Sequence, residues 1–253
     1  MHCMNSEVAT IIAGWLKKAE NAVVFTGAGV STESGIPDFR SPGGVWSKYR
    51  TVYYDEFMAS ADARYEYWRQ KAEGDRDFAD AQPNNGHRVI AKWERDGMIR
   101  GVITQNIDGL HQVAGNQHVL ELHGTSRQIL CQDCGTSSDA APLIAEFLET
   151  DRVPACRICA NGRLKHATIS FGQALPVEVL EQAAAWCRQA DLLLAIGSSL
   201  VVSPAADLPM LTKRNGGRLV IINRDTTPLD VMADKVIQES IGVTLSAVDY
   251  RIV

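Results

Sequence analysis

The sequence lacks several features that would directly identify the class of protein. No apolar run reaches about 18 residues, the length that a membrane-spanning helix needs. Six cysteines among 253 residues are too few for a disulfide scaffold in a chain of this length. Acidic residues outnumber basic ones by 30 to 25, and the net charge of −5 argues against a basic nucleic-acid-binding face or a polybasic membrane anchor. The chain also has no internal repeat and no low-complexity linker, so we expect nested modules rather than modules in series.

The first segment does not resemble a targeting signal, because Glu7 stands where such a signal carries basic residues. Apolar residues recur there at helical spacing instead, at Val8, Ile11, Ile12, Trp15 and Leu16. This pattern predicts an amphipathic helix that Asn5 or Ser6 caps. Without a secretory signal, we expect a cytoplasmic protein.

Short apolar runs predict buried parallel strands, because a sheet covered on both faces needs residues that are apolar on both sides. The predicted strands are Ala22–Thr26, 101–104, Leu192–Ile196 and Arg218–Ile222. The predicted helices are 87–95, 176–189 and 204–214. This alternation indicates a doubly wound α/β fold. Two segments interrupt it, an aromatic-rich stretch at 39–80 and a cysteine-containing stretch at 124–172, and we expect them to pack together as a smaller module.

The spacing of four cysteines is the most specific motif. Cys131/Cys134 and Cys156/Cys159 form two Cys-x-x-Cys pairs separated by 21 residues, just outside the usual range of a four-cysteine zinc site. Four thiolates complete a tetrahedral zinc site and leave no position for water, so a zinc ion there would be structural. The alternatives are two redox-active dithiols or four unrelated core cysteines.

A glycine-rich run follows the first predicted strand, Gly27-Ala-Gly-Val-Ser-Thr-Glu-Ser-Gly35. Small residues there let backbone N–H groups approach a pyrophosphate. The run departs from the dinucleotide fingerprint G-x-G-x-x-G, because Thr32 stands at the last glycine position and no acidic ribose ligand follows an obvious second strand. A simple tight turn is therefore the alternative.

Three more strand ends carry residues that suit a polar ligand. Thr104-Gln-Asn-Ile-Asp-Gly109, Gly197-Ser-Ser199 and Asn223-Arg224 each follow a predicted strand, and parallel sheets bind ligands at the carboxyl ends of their strands. His123, 15 residues after Asp108, is a candidate general base, because histidine exchanges a proton near neutral pH. Asp108 and His123 each have a plainer interpretation. Asp108 would then be a turn or capping carboxylate, and His123 a structural histidine.

Together these motifs resemble those of the sirtuins, NAD-dependent protein-lysine deacylases, and in particular the bacterial and archaeal type. In family order, the resemblance is carried by Gly27-Ala-Gly-Val-Ser-Thr-Glu-Ser-Gly-Ile-Pro-Asp-Phe-Arg40, Thr104-Gln-Asn-Ile-Asp-Gly-Leu-His111, Glu121-Leu-His-Gly124, the two cysteine pairs, Phe171-Gly172, Gly197-Ser-Ser-Leu200 and Ile222-Asn223. It extends from about Val8 to Val248. It implies a Rossmann-like NAD-binding domain at 1–38, 82–123 and 173–253. A smaller nested domain at 39–81 and 124–172 would combine a helical module with a four-cysteine zinc ribbon.

The resemblance also implies a role for individual residues. Catalysis falls to His123 and Asn106. The residues expected to contact NAD are Gly27, Ala28, Gly29, Thr32, Phe39, Arg40, Gln105, Asn106, Ile107, Asp108, His123, Gly197, Ser198, Ser199, Asn223 and Ile241. The nicotinamide pocket would consist of Ile36 together with Ala28, Asn106, Ile107 and Asp108 of that set. The acyl-lysine tunnel is expected at Ile169, Phe171 and Val202, and one structural zinc ion at Cys131, Cys134, Cys156 and Cys159.

The implied reaction consumes NAD and moves no hydride. The acyl-lysine oxygen attacks the ribose carbon that nicotinamide leaves, and His123 acts as general base on the ribose hydroxyls. The products are free lysine, nicotinamide and O-acyl-ADP-ribose. The substrate would dock as a strand between the Phe171-Gly172 loop and the loop at 199–203.

Two departures from the family pattern fall on the substrate face. Family members commonly have proline where His166 stands and an acidic residue where Gln173 stands. The family branch that removes acidic acyl groups is characterised by a Tyr-x-x-Arg pair in the helical module and by alanine in place of Thr32. Here Tyr65 and Tyr67 are offset from Arg69, and Thr32 is present. We therefore expect acetyl or another neutral acyl group.

The closest alternative function is a sirtuin-like protein mono-ADP-ribosyltransferase, which has the same NAD site but a protein acceptor. A non-catalytic NAD or ADP-ribose sensor is disfavoured by the presence of Asn106, Asp108 and His123. A zinc-ribbon nucleic-acid module is disfavoured by the negative net charge. We expect acylated lysine side chains of proteins or peptides as partners, and neither nucleic acid nor membrane.

Overall fold

The computed structural model describes residues 6–38, 44, 49–79, 81–160 and 162–252. The strands in chain order are β1 Ala22–Thr26, β2 Val102–Thr104, β3 Val119–Glu121, β4 Gly124–Cys131, β5 Ser137–Asp139, β6 Leu164–Thr168, β7 Leu192–Ile196, β8 Arg218–Ile222 and β9 Lys235–Ile237. The helices are α1 Ser6–Lys18, α2 Tyr54–Ala59, α3 Ala61–Ala79, α4 Asn85–Arg95, α5 Leu110–Ala114, α6 Ala140–Thr150, α7 Val177–Gln189, α8 Leu208–Arg214 and α9 Ile241–Tyr250. Short 3₁₀ segments occupy Ala28–Ser34, Ala205–Asp207 and Asp230–Met232.

The larger sheet is parallel, with the strand order β3-β2-β1-β7-β8-β9. From β1 the chain proceeds to one edge of the sheet, and from β7 it proceeds to the other edge. The boundary between β1 and β7 is therefore a topological switch point, where open α/β sheets form a ligand crevice. The prediction of a doubly wound sheet is confirmed.

Two apolar cores sandwich this sheet. Successive residues of a strand point to opposite faces, so Val24 and Leu194 lie in one core and Val23 and Leu193 in the other. Helices α1, α4 and α9 contribute to the first core, and α7 and α8 to the second. Every residue of β1 and β7 is buried, which explains why these strands are continuous apolar runs.

A second, antiparallel sheet has the order β5-β4-β6. It shares a third core with α2, α3 and α6, which contains Phe57, Trp68, Ile129 and Phe147. The indole Nε1 of Trp68 donates to the carbonyl oxygen of Leu164 at 2.9 Å and so ties α3 to β6. The described parts of the two interrupting segments therefore pack together, as the sequence predicted. The domain bounds given above stay a prediction.

Several predicted element bounds differ from those observed. Helix α4 begins at Asn85 rather than at 87, and α7 begins at Val177 rather than at 176. Strand β2 begins at Val102 rather than at 101. The helix predicted at 204–214 divides into a 3₁₀ turn and α8, which has Pro209 in its first turn, where the missing N–H is tolerated. Ser6 is the first residue of α1 rather than its cap, and its hydroxyl accepts a hydrogen bond from Arg251 at 2.6 Å. The other candidate cap, Asn5, lies outside the described residues.

Within the part of the chain that the structure describes, none of the helices combines the length and the apolar character needed to cross a membrane.

Candidate active site

A cleft of roughly 1000 Å³ opens at the switch point, within the size range of small-molecule sites. Loops that follow β1, β2, β7 and β8 all line it. They contribute Gly27, Ala28, Gly29, Gln105, Asn106, Ile107, Gly197, Ser198, Ser199 and Asn223. The four strand ends that the sequence singled out therefore meet in one cleft, and His123 joins them there.

Two glycine-containing loops cross at the base of the cleft. Gly29 N donates to Gly197 O at 2.8 Å, and Gly27 N donates to Ile196 O at 3.0 Å. A Cβ on Gly27 would lie 2.7 Å from Gly197 O, and a Cβ on Gly29 would lie 2.8 Å from Gly197 Cα. Gly197 has a φ of 64°, which side chains disfavour. The glycine run is therefore more than a tight turn, because its small residues permit this backbone crossing.

The ring of His123 is oriented by a backbone carbonyl. Its Nδ1 lies 2.9 Å from Gln105 O, which can only accept, so Nδ1 carries the proton and Nε2 keeps its lone pair. No described residue is hydrogen-bonded to Nε2. Burial lowers the pKa of His123, and the bond to Gln105 opposes this shift. The imidazole is therefore neutral near pH 7 and can accept a proton in the cleft.

A buried hydrogen-bond network fixes the amide of Asn106. Its Nδ2 donates to Ser31 Oγ at 3.2 Å, and Ser31 Oγ donates to Asp108 Oδ2 at 2.7 Å. Asp108 Oδ1 also accepts from Leu110 N at 2.9 Å, so this carboxylate serves the turn as well as the network. Asn106 lines the cleft, whereas Asp108 supports it from behind.

A second hydrogen bond links the loops after β2 and β7. Gln105 Nε2 donates to Ser198 Oγ at 2.7 Å, and the same hydroxyl accepts from Leu200 N at 3.2 Å. Gln105 also holds His123 through its carbonyl oxygen. One glutamine therefore aligns the candidate base with the serine loop on the other side of the switch point.

The predicted tunnel residues Ile169, Phe171 and Val202 line the same cleft. Ile169 N donates to His123 O at 2.9 Å, which joins the end of the small sheet to the candidate base. Phe171 O accepts from Tyr54 N at 3.0 Å, although 43% of Phe171 is exposed. The wall on which we expect a substrate peptide is thus held by both the helical segment at Tyr54 and the loop of His123.

Four predicted contact residues do not line the cleft directly, and their contacts with NAD stay a prediction. They are Thr32, Ile36, Asp108 and Ile241. The hydroxyl of Thr32 is bonded to Gly29 O at 2.9 Å, and Ile36 and Ile241 are buried. Phe39 and Arg40 fall outside the described residues.

Sequence reasoning missed two serines and an acidic residue at the site. Ser31 lies within the glycine-rich run, but its role depends on Asn106 and Asp108, about which its local sequence says nothing. Ser126, on β4, donates from both N and Oγ to Ile107 O. Asp225 lines the cleft two residues after Asn223. A search for an acidic ribose ligand close behind each strand end would have found this residue.

The four paired cysteines converge on one point. The Sγ–Sγ distances are 3.7 Å for Cys131 and Cys159 and 3.7 Å for Cys134 and Cys156, and all four Sγ atoms lie within 4.8 Å of one another. Thiolates placed tetrahedrally around zinc at about 2.3 Å are about 3.8 Å apart, so the set fits this ion. A Cβ on Gly162 would overlap the sulfur of Cys131, which leaves this position to glycine.

Comparisons with known proteins agree with this geometry. A model of the Sir2 family matches residues 27–204. The NAD-dependent protein deacetylase 1 of Bradyrhizobium diazoefficiens is 49% identical over 91% of each chain. The NAD-dependent protein deacetylase of Sulfolobus acidocaldarius is 41% identical over 96% of this chain and 94% of its own. A solved Sir2 complex with a deacetylated p53 peptide and 3′-O-acetyl-ADP-ribose matches with a TM-score of 0.87 at 38% identity, covering 94% of this chain and 96% of that one.

Proposed function

The chain belongs to the Sir2 family, and on that premise we propose that the cleft at the β1/β7 switch point is where it deacetylates protein lysines. The protein is an NAD-dependent protein deacetylase whose products are free lysine, nicotinamide and O-acetyl-ADP-ribose. The observation that carries the placement is His123, whose unprotonated Nε2 has no partner among the described residues beside four ligand-binding strand ends.

We assign the NAD site to the crossing loops. The contacts of Gly27 and Gly29 with Gly197 leave no room for a Cβ, and small residues of this kind allow a pyrophosphate to approach the backbone. Ser198, Ser199 and Asn223 add hydroxyl and amide groups at neighbouring strand ends. Bound NAD supplies a ribose carbon from which nicotinamide departs, while the protein supplies orientation and a site sheltered from water.

The catalytic roles follow from the hydrogen bonds. His123 takes up a proton at Nε2 from a ribose hydroxyl, because Nδ1 is committed to Gln105. Asn106 is held by Ser31 and Asp108, so its amide is already oriented before substrates bind. Such prior positioning removes an entropic part of the barrier that free groups would have to overcome.

The acyl-lysine chain would enter past Ile169, Phe171 and Val202, which line the cleft. The peptide itself would lie between the Phe171–Gly172 loop and the loop at 199–203 as an added strand, which gives affinity through backbone hydrogen bonds. This mode of docking accepts many sequences, because main-chain groups do not differ between substrates.

The test is nicotinamide release from NAD in the presence and absence of an acetyl-lysine peptide. The wild-type protein should release nicotinamide only with the peptide, and His123→Ala should abolish release while the far-UV circular dichroism spectrum is retained. His118→Ala is the matched control, since 68% of this side chain is exposed and it pairs with Glu94 away from the cleft. Equal turnover by His123→Ala would overturn the assignment. With NAD labelled in the adenine ring, label bound to protein would instead indicate ADP-ribosyl transfer.

We also propose a cytoplasmic location, because four thiolates that hold a metal persist in a reducing compartment, whereas an oxidising one favours disulfides. Fractionation of the source cells tests this location. The proposed two-domain division, with 39–81 and 124–172 as the smaller domain, is supported by the third core. Limited proteolysis that cuts first near those bounds would support it further.

A further inference from the structure

A second groove lies at the opposite end of the large sheet from the cleft. It has a volume of roughly 640 Å³ and lies between α4 and the segments that lead into β2 and β3. The cleft is at the carboxyl ends of the strands, whereas this groove is at the amino ends of β2 and β3. We call it the basic groove, after its ionisable lining residues Arg88, Lys92, Glu94, Arg95, Arg100 and His118.

The basic groove concentrates positive charge in a chain whose net charge is −5. Its lining includes three arginines and one lysine, but only one carboxylate, that of Glu94. Only 8% of this side chain is exposed, and its carboxylate accepts from His118 N at 2.7 Å and from Asn116 Nδ2 at 2.5 Å. Glu94 is therefore held by N–H groups on the side of β3, and it forms no ion pair with an arginine of the described residues.

Two arginines of the basic groove lack a counter-charge. Arg88 and Arg100 are both exposed, and no carboxylate within the described part of the chain forms an ion pair with either. Arg100 Nη1 donates to Gln189 Oε1 at 2.6 Å, and the guanidinium lies 4.9 Å from the centre of the Trp186 ring. Both of these partners are uncharged, so they hold the guanidinium in place without neutralising it.

The needs of α4 itself explain some of these basic residues but not all of them. Lys92 and Arg95 lie in the last turn, where cations interact favourably with the helix dipole. Lys92 is also paired with Asp249 at 2.7 Å, and Arg95 uses only its Nε to pair with Asp96 at 3.1 Å. Arg88 lies in the first turn, where the same dipole disfavours a positive charge. A cation at that position, without a carboxylate, favours a partner from outside the chain.

The arrangement suits a chain of phosphates. A guanidinium donates in a planar fork that matches two oxygens of a phosphate or a carboxylate. Arg88 and Arg95 are seven positions apart on α4, about 10.5 Å along the helix axis, so their charges form a row. A row of this length suits negative charges spread along a chain rather than a single phosphate. The described lining includes no Trp, Tyr or Phe to anchor a peptide, which favours a compact anion over an acidic protein segment.

We propose that the basic groove binds an oligophosphate, the chemistry that nucleoside triphosphates share with inorganic phosphate chains. Arg88 and Arg100 would contact it from the two sides of the groove, and Arg95 would contact it through the nitrogens that Asp96 leaves unused. The inference does not rest on the proposed deacetylation, because the groove lies at the other end of the sheet and binding can be measured without turnover.

Isothermal titration calorimetry of the zinc-loaded protein tests this site, with tripolyphosphate and ATP as probes and no added Mg²⁺. We expect one site per chain and, for orthophosphate, a Kd at least about tenfold higher, because it reaches fewer guanidinium groups. Equal affinities for tripolyphosphate and ATP would assign recognition to the phosphates, and tighter binding of ATP would assign part of it to the nucleoside. The inference is overturned if tripolyphosphate does not bind, or if orthophosphate or hexaglutamate binds equally well.

Variants locate the bound anion. Arg88→Gln and Arg100→Gln should each raise the Kd for tripolyphosphate at least about tenfold, because each removes a charge-assisted hydrogen-bond donor. Arg88→Gln should leave the melting temperature of the ligand-free protein unchanged, since this side chain is exposed. Arg152→Gln is the matched control, an exposed arginine that lines neither the basic groove nor the cleft, and it should leave the Kd unchanged. Binding that both groove variants retain, or that NAD displaces, would place the anion elsewhere and refute the site.

Discussion

The tautomer of His123 determines how activity responds to pH. Because Gln105 O fixes the proton on Nδ1, the form that accepts a proton is the neutral imidazole. Burial lowers the pKa of His123 from 6.5 despite the opposing hydrogen bond to Gln105. We expect kcat/KM for an acetyl peptide to be retained at pH 7 and to fall only as the pH drops through this lowered pKa. An acid limb centred above pH 6.5 would contradict the assignment.

Ser31 is a positioning residue for Asn106 and is open to a separate test. Ser31→Ala removes the donor to Asp108 and the acceptor for Asn106, which leaves a buried carboxylate short of one hydrogen bond at about 1–3 kcal/mol. We expect kcat to fall about tenfold with less change in KM for the peptide, because the amide is misaligned rather than lost. Ser137→Ala, on an exposed strand of the small sheet, is the control. Parallel changes in kcat and KM would argue for a general loss of structure.

For single residues, the sequence predicted those whose chemistry depends on their own side chain or on the strand end that they follow. His123, Asn106 and the serines after β7 all line the cleft as expected. Ser31 was missed because its role arises from Asn106 and Asp108, which are distant in the sequence and lie on another element. Hydrogen bonds of this kind leave no periodic signal for a single sequence to display.

Among the elements, the 3₁₀ segment after β1 has little steric freedom at Gly29, where it crosses Gly197. A Cβ on Gly29 would lie 2.8 Å from Gly197 Cα and 2.9 Å from its oxygen, so Gly29→Ala must push two backbones apart. We expect a lower melting temperature and a raised KM for NAD. Gly14→Ala is the matched control, since a Cβ there meets nothing within 4 Å in α1. That change should stabilise the protein by about 0.5–1 kcal/mol. A raised melting temperature in both variants would refute the crossing.

The zinc ribbon is expected to depend on its metal. Its sheet has the three strands β5-β4-β6, and the four cysteines connect β4 to the segment before β6. We expect one zinc per chain by elemental analysis, and Cys131→Ser should lose both the zinc and thermal stability. Cys187→Ala is the control, because this buried cysteine lies in the core around α7 and should leave the zinc content at one. Unchanged stability after complete chelation would contradict a structural site.

Elements that are buried on both faces were predicted almost to the residue, because burial on both faces requires a continuous apolar run in the sequence. Strands β1, β7 and β8 have the predicted bounds. The short strands β3, β5 and β9 were not predicted, because three residues at an edge or near the surface carry no recognisable period. Periodicity did not predict α2 and α3, and the resemblance implied only a helical module at 39–81, because the aromatic residues of these helices face the small sheet rather than the large one.

For the whole molecule, the cleft lies where the switch point of the large sheet meets the wall formed by α3 and β6. The large-sheet side supplies the strand-end loops and His123, and the other side supplies the tunnel wall. The two cores of the large sheet and the third core of the small sheet therefore together determine the distance between the candidate base and the acyl end of a substrate. The alternation of apolar runs and helical stretches predicted the α/β part of this arrangement, whereas the relative placement of the two sheets depended on contacts such as that of Ser126 N with Ile107 O.

Two buried histidines in edge-to-face contact make the stability of the whole protein depend on pH. The ring centroids of His87 and His111 are 4.9 Å apart, and each ring has a buried nitrogen without a partner. Burial lowers the pKa of both, that of His111 from 6.5 to about 3, and the neighbouring His87 adds to the shift in His111.

Both rings are therefore neutral in the folded protein, whereas the unfolded chain takes up protons below pH 6.5. The unfolded state binds more protons in this range. The free energy of unfolding should therefore have its full value above pH 6.5 and should fall as the pH drops towards about 3. The slope is about 1.4 kcal/mol per pH unit for each histidine.

Urea unfolding of the zinc-loaded protein, measured between pH 6.5 and the onset of carboxylate titration near about 4.5, checks this dependence. His111→Gln should reduce the slope, because one group that takes up a proton on unfolding is removed. Ser137→Ala should not change it, since this residue does not titrate and lies on an exposed strand. Any contribution from protonation of the zinc ligands is common to both variants and cancels in the comparison. Equal slopes in the two variants would show that the buried pair does not govern acid stability.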